Sequence, residues 1–287
     1  MTSSRKQRGV VLLVVLSILA TIGLLLLQVS LTARDEVAKA QILVDRAEAS
    51  LRVRTEESRL QLALLTHPWL GPDPSSDDPR VQRWNFEGAP FDVGDTRFEV
   101  QDVGGLFVVP QPGYNSGLAW MPELFDRLGV EQGVARRAID EFARRIGPQG
   151  AAPIQDVGEL AGYGGLSRGD VERLRAVSTL YPVQRFNPVT APPPVLASLY
   201  KGSNREAILA LRTRRELNPS SFARVVGDVD TDLTAFFPGP AFRIVVRVRR
   251  GEVEVARESV VVLDPYADQP VERWSTRRAP RALVEAR

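Results

Sequence analysis

The run from Val10 to Leu27 limits what this chain can become more than any other feature. It carries no charge, it follows Arg5, Lys6, Arg8 and Gly9, and its length approaches the ~20 residues that a helix needs to cross ~30 Å of hydrocarbon. The run predicts a membrane anchor. Ser17, Thr21 and Gly23 interrupt it, residues that a bilayer helix tolerates because their polar groups bond back to the backbone or pack on a neighbour. The basic flank keeps the N-terminus on the cytoplasmic side, so everything after Leu31 is expected across the membrane. A secretory signal would have a shorter core of ~7–15 residues closed by an Ala-x-Ala site. None follows here, and no Gly or Pro stands between Gly23 and His67. The helix is therefore predicted to run on to Leu65, about 80 Å at ~1.5 Å per residue, with about half of it beyond the lipid.

Past the membrane, Val37, Ala40, Val44, Ala47 and Leu51 recur at spacings of three and four, which places them on one helix face. Arg54 and Ser58 interrupt the stripe before Leu62 and Leu65 resume it, and Leu60 and Leu64 widen the apolar surface. The second half is expected to pack on the chain's own globular part, and the first half against helices of other subunits. Pro68 ends the helix, leaving His67 as a helix-end residue.

Downstream, a Pro/Asp/Ser loop, Trp69 to Asp78, gives way to period-two patterns over Trp84–Val93 and Thr96–Val100 around Gly94-Asp95, read as strands. Leu106 to Val109 form a third apolar run. From Gly113 to Leu199 the spacing turns helical. Glu123–Leu128 and Gln132–Ile146 are amphipathic, the latter with Val134, Ala138, Ile139, Phe142 and Ile146 inward and Arg136, Arg137, Arg144 and Arg145 outward. Val157 to Leu174 reads as two short helices around Gly162-Tyr163-Gly164-Gly165, with Ser167 as N-cap. Helix-hairpin-helix units that hold a DNA phosphate have this spacing too, but any tight turn needs such glycines, and the structural reading is the one adopted. Thr190 is expected to cap the helix that Pro192, Pro193 and Pro194 open. Asn204–Leu217 is a further helix. Phe242–Arg249 and Glu252–Leu263 alternate as a hairpin, with Phe242, Ile244, Val246 and Val248 on the apolar face and Arg243, Arg247 and Arg249 on a solvated one. Val271 to Arg287, with five Arg against two Glu, reads as a mobile tail.

The net charge of +2 gives no global attraction to nucleic acid. There is no cysteine, so the chain has neither disulfides nor a thiolate zinc site, and His67 is the single histidine, too little for a His-based metal cluster or triad. No Gly-rich phosphate loop, His-Glu-x-x-His or Gly-x-Ser-x-Gly occurs. An enzyme is not expected, and neither is a cofactor. Asp73, Asp77 and Asp78 offer the hard oxygens that calcium takes, but solvated loop acids are the favoured reading and the expectation here.

Arg5-Lys6-Gln7-Arg8-Gly9 ahead of Val10 resembles the start of type IV pilins and pseudopilins. The resemblance implies cleavage by a prepilin peptidase between Gly9 and Val10 and methylation of Val10 as the new N-terminus. Most members carry a glutamate at the fifth mature position, where it meets the amine of the subunit above; here that position is Val14. A subunit with nothing above it has no use for the charge, whose unpaired burial would cost several kcal/mol. Two further passages are similar to the K-type minor pseudopilin of type II secretion. Asp102 to Phe107 matches an Asp-x-Gly-Arg-Phe signature at its Phe, with Val108-Val109-Pro110 in place of Asn-Leu-Asn. Asn187, Thr190, Ala191, Val195 and Leu196 match an Asn-x-Asn-Thr-Ala passage and the short helix after it.

This resemblance implies an α+β fold: a long pilin-like N-terminal helix packed on a small antiparallel sheet, with a large α-helical domain inserted in the sheet. The implied divisions are a leader over 1–9, the N-terminal helix over 10–67, the first part of the α/β domain over 68–112, the insert over 113–199, the second part over 200–267 and a basic tail over 268–287. The implied place is the inner membrane, crossed once, with the C-terminal domain in the periplasm. The implied role is to initiate and cap the pseudopilus tip with I-type and J-type minor pseudopilins, supporting export of folded proteins across the outer membrane. Val14, Val37, Ala40, Val44, Ala47 and Leu51 would form the subunit interface, and no nucleic acid would be bound. A minor pilin of a type IV pilus, acting as a surface or DNA-binding module, is the alternative. Any single-pass protein with an uncleaved signal would also explain the anchor alone.

Overall fold

The computed structural model describes residues 4–112, 116–146, 153–227, 230 and 232–279, with side chains described from Val14 onward except at Ser116 and Arg278. Gly113, where the helical insert was expected to begin, and the tail beyond Ala279 lie outside the described residues.

Helix α1 is unbroken over Ser4–Thr66, 63 residues, as the lack of any proline and of any glycine between Gly23 and its end allows. Its hydroxyls turn inward to the main chain: Thr21 Oγ1 donates to Ser17 O at 2.9 Å and Thr32 Oγ1 to Gln28 O at 3.0 Å. An 18-residue window of this helix has a mean hydropathy of 2.4 and none of it is buried, which makes it a candidate membrane span. At the far end the His67 N–H donates to Ala63 O at 3.0 Å, and Pro68 follows, as expected for a helix end.

The chain divides into two compact units, Met1–Arg54 with Val248–Val255, and Thr55–Arg247 with Ala256–Arg287. In the first, Arg250 Nη2 lies 2.8 Å from Glu48 Oε2. In the second, strands β1 (Phe91–Val93) and β2 (Thr96–Asp102) form an antiparallel pair, closed by the Gly94-Asp95 turn. The short strand β3 (Phe107–Val108) follows. Helices α2 (Met121–Arg127), α3 (Gln132–Ile146) and α4 (Arg168–Val177) come next, then β4 (Ser178–Thr179), which pairs in parallel with β3. Helices α5 (Pro193–Leu199), α6 (Gly202–Thr213) and α7 (Pro219–Val226) lead to β5 (Ala241–Arg250), β6 (Val253–Leu263) and β7 (Val271–Arg278). The main sheet runs β1-β2-β5-β6-β7. Helices α2 to α7 all lie in sequence between β2 and β5, so the sheet is interrupted by a helical block, the α+β arrangement that the change of period implied. Two apolar cores fill that block: Leu124, Phe125, Phe142, Leu160 and Leu174 belong to the first, and Leu196, Ile208, Leu217 and Phe222 to the second. The helical character thus continues beyond Leu199, to Val226.

Three sequence readings need correction. On α1 the face buried in the second unit consists of Glu56, Glu57, Leu60, Gln61, Ala63 and Leu64, whereas Leu62 is exposed. The wider apolar surface around Leu60 and Leu64 is the packed one, and Glu57 can accompany it because Arg257 Nε and Arg273 Nη2 lie 2.8 and 3.5 Å from its carboxylate. Second, the polar face of the β5–β6 hairpin is not simply solvated. Arg243 Nη1 donates to Arg175 O at 2.8 Å and its Nη2 to Ala176 O at 2.6 Å, capping the C-terminal carbonyls of α4. Arg247 pairs with Glu99 at 3.4 Å. Of the three arginines only Arg249 is exposed. Third, the first part of the supposed tail is strand β7, in register with β6 from Arg257↔Arg278 to Leu263↔Val271. Its arginines are not loose charge: Arg277 Nη2 donates to Glu258 Oε1 at 2.7 Å, and Trp274 packs on Tyr181 with ring centroids 4.8 Å apart. A bulge at Trp274, which the pairing skips, breaks the period-two pattern that would have marked the strand.

Candidate functional site

The residues singled out in the sequence fall at two places. The first is α1. Gly9 and Val10 lie within the helical backbone, and their side chains are outside the described residues. Val14 is half-exposed, and Val37, Ala40, Val44, Ala47 and Leu51 are all exposed, Val37 at 71% and Leu51 at 65%. The helix aligns them on one face and covers none of them. Ile42 and Leu43 are exposed beside them. An exposed apolar patch of this kind marks a surface made for lipid or for another protein.

The second place joins the two passages that carried the family resemblance, which lie some 85 residues apart in sequence. Strand β2 ends at Asp102, which is fully buried. Its carboxylate takes two donors on each oxygen. Oδ1 accepts from Gly104 N at 2.9 Å and Gly239 N at 3.3 Å, and Oδ2 accepts from Asn187 Nδ2 and Thr190 Oγ1, each at 2.8 Å. The main chains lock alongside, with Asn187 N donating to Gly104 O at 2.9 Å and Gln101 Nε2 to Thr190 O at 3.0 Å. Gly105 is required here because a Cβ would stand 2.7 Å from the Thr190 carbonyl. Burial pushes the Asp102 carboxyl above the usual carboxylate range, and the four donors pull against that rise. This clasp ties the end of β2 to the approach to α5 and to the entry of β5. Thr190 is therefore not the N-cap that the sequence pointed to. Pro192 holds that position without a side-chain cap, and the Thr190 hydroxyl is spent on Asp102. Spacing alone does not single out the carboxylate at the centre of the clasp, although an acid that closes an alternating strand just ahead of Gly104-Gly105 is its signal.

The remaining candidates resolve locally. Ser167 caps α4 as expected, with a reciprocal bond from its own N–H to Asp170 Oδ2 at 2.8 Å. The glycine hairpin packs against α3: Gly164 N donates to Glu141 Oε2 at 3.1 Å, Gly165 N to Gly162 O at 3.0 Å and Leu166 N to Tyr163 O at 2.8 Å, so these amides are committed internally. Asp73 accepts from Ser75 N at 2.9 Å and Asp78 from Arg80 Nη1 at 3.1 Å. Among the described residues no group of three or more His, Cys, Asp or Glu is placed to hold a metal.

No family model matches this sequence, and no curated protein matches it. Among solved structures, the chain is similar to a chain in the crystal structure of the GspK-GspI-GspJ complex from the type 2 secretion system of enterotoxigenic Escherichia coli. The two are 15% identical, over 86% of this chain and 99% of that one, with a TM-score of 0.49.

Proposed function

We propose that this chain is a membrane-anchored minor pseudopilin of the K type, which starts and caps a short periplasmic filament rather than repeating along it. The observation that supports this reading is the character of α1. Over Val14–Leu51 its large apolar side chains stand exposed, while over Glu56–Leu64 the same helix is built into the α+β unit. A helix of this kind presents a greasy, uncapped face to lipid at one end and to neighbouring helices beyond it. The basic leader that ends at Gly9 fits removal by a prepilin peptidase and methylation of Val10, and Val14 lacks the carboxylate that would pair with a subunit above. The partners that fit the stripe are two other minor pseudopilins.

Mass spectrometry of the purified membrane form tests the anchor. The expected mature chain begins at Val10, and Gly9→Leu blocks the cut; a chain beginning at Met1, or cut beyond Leu27, overturns the reading. Co-purification tests the tip role. A one-to-one-to-one complex with two other minor pseudopilins is expected, and Ala40→Glu with Ala47→Glu should weaken it by placing unpaired charge in a helix interface. Recovery of the protein as a repeating shaft subunit overturns the tip assignment.

A further inference from the structure

Near its end helix α1 has two apolar faces, and the chain buries the one that carries charge. Val53, Leu60, Ala63 and Leu64 lie on the first, all of them buried, together with Glu56 at 7% and Glu57 at 3% exposure. The second continues the open stripe through Leu51, Leu62 and Leu65, with the uncharged Ser58 between them. At ~100° per residue Leu51 and Leu60 stand on opposite sides of the helix, so one packed layer cannot cover both faces. Leu62 is nevertheless 60% exposed and Leu65 only half-buried. Apolar area alone does not explain this choice, since both sides offer it and burying a carboxylate costs far more than burying a hydroxyl.

The ion pairs of the first face supply what apolar area does not. Arg80 Nη2 donates to Glu56 Oε2 at 2.6 Å, and the Arg80 side chain, only 12% exposed, also holds Asp78 at 3.1 Å. Glu57 lies 2.8 Å from Arg257 of β6 and 3.5 Å from Arg273 of β7, and Gln61 Nε2 donates to its Oε1 at 3.3 Å. The two acids thus reach the loop before β1 on one side and strands β6 and β7 on the other. One rotation of α1 satisfies both. Turned half-way round, the helix would bury Leu62 and Leu65 in place of Leu60 and Leu64, and it would take Glu56 and Glu57 away from the three arginines.

We infer that Glu56 and Glu57 are positioning residues: their pairs with Arg80, Arg257 and Arg273 select which face of α1 is packed, and so keep the side of Leu51 and Leu62 open for a partner helix. Ion pairs suit such a selection because they penalise the wrong rotation as well as favouring the right one. The use of the open side rests on the assembly reading, whereas the choice of face does not.

The chain has no cysteine, so spin labels at Ser58→Cys and Gln269→Cys, both exposed positions, report one distance between α1 and the β6–β7 loop in the detergent-solubilised full chain. The parent should give one narrow distance distribution. Glu56→Gln with Glu57→Gln should add a second population, about a tenth of the chains or more, displaced by up to ~10 Å, the width of a helix. Adding Leu62→Ser and Leu65→Ser to that variant removes the competing face and should restore the single distance, which a merely loosened helix would not do. A chain that keeps one distance without the two acids overturns the proposal, and so does a second population that survives the serine substitutions. If the double glutamine variant shows no cooperative thermal transition, Glu57→Gln alone is read in the same way. No partner enters the measurement, so its failure leaves the assembly reading standing, and failure to recover the one-to-one-to-one complex leaves the choice of face standing.

Discussion

The stripe on α1 and the clasp at Asp102 are opposite solutions to the same problem. Along the Val37–Leu51 stripe the helix leaves Val37, Ala40, Val44, Ala47 and Leu51 exposed. At Asp102 the chain buries a carboxylate and answers it four times over, from residues 104, 187, 190 and 239. A surface left open needs a partner to remove it from water, whereas a buried polar group that is fully satisfied needs nothing from outside. The contrast separates the part of the molecule that makes contacts with others from the part that holds it together, and substitutions should divide along the same line.

Asp102→Ala should have the largest effect. Four buried or half-buried donors lose their acceptor, and an unanswered buried donor costs about 1–3 kcal/mol, so a loss of about 3–5 kcal/mol in urea unfolding of the detergent-solubilised chain is expected. A loss below about 1 kcal/mol would show that the clasp is not the joint between sheet and helical block. Next in size comes a pair on α1 itself. Leu60→Ala, at a fully buried position, should cost about 2–5 kcal/mol, while Leu51→Ala should stay within about 0.5 kcal/mol in the same assay. Equal losses at the two positions would mean that the stripe is packed, and the contrast would fail.

Much of this division could be read in the sequence, and the misreadings have physical causes. The helical block and the hairpin are legible through their period, since each buries a continuous face, and the long helix through its uncharged run free of proline. The stripe of α1 shows the same helical spacing, although its side chains stand exposed. Its second half packs on the chain's own globular part as expected, but through Leu60 and Leu64 and not Leu62, because Glu56 and Glu57 sit on the buried face, and only partners remote in sequence, Arg80 for the first and Arg257 and Arg273 for the second, make that tolerable. Strand β7 was hidden by its bulge at Trp274 and by arginines whose acids lie on β6 and α1. The clasp was hidden differently: each half was noticed as a motif, but a hydrogen bond between Asp102 and Asn187 leaves no trace in local spacing. Thr190 was assigned to its nearest helix because local capping is the bond that a sequence makes visible.

The smallest expected effect concerns pH, and it separates two kinds of acid. Asp170 is held below the usual carboxylate range, first by the Ser167 hydroxyl, against the opposing effect of burial, and also by the Ser167 N–H and the charge of Arg173. Its folded pKa lies below its unfolded one, so the folded state binds fewer protons and the stability it supplies is present at neutral pH and lost as pH falls through the folded value. Asp102 runs the other way. Burial raises it, so its contribution is complete below the usual carboxylate pKa and declines as pH rises through the raised value. Asp170→Asn weakens the capping box of α4 and should cost about 0.5–1 kcal/mol at pH 7, with the difference from the parent chain shrinking toward pH 3 as Asp170 itself becomes protonated. Unfolding midpoints of the two chains followed from pH 7 to pH 3 would check this. Curves that stay parallel over the whole range would mean that the cap acts through shape alone, and that the acid sensitivity of the helical block comes from other carboxylates such as Asp156, which Gly158 N–H, Arg175 and Arg277 hold low against its burial.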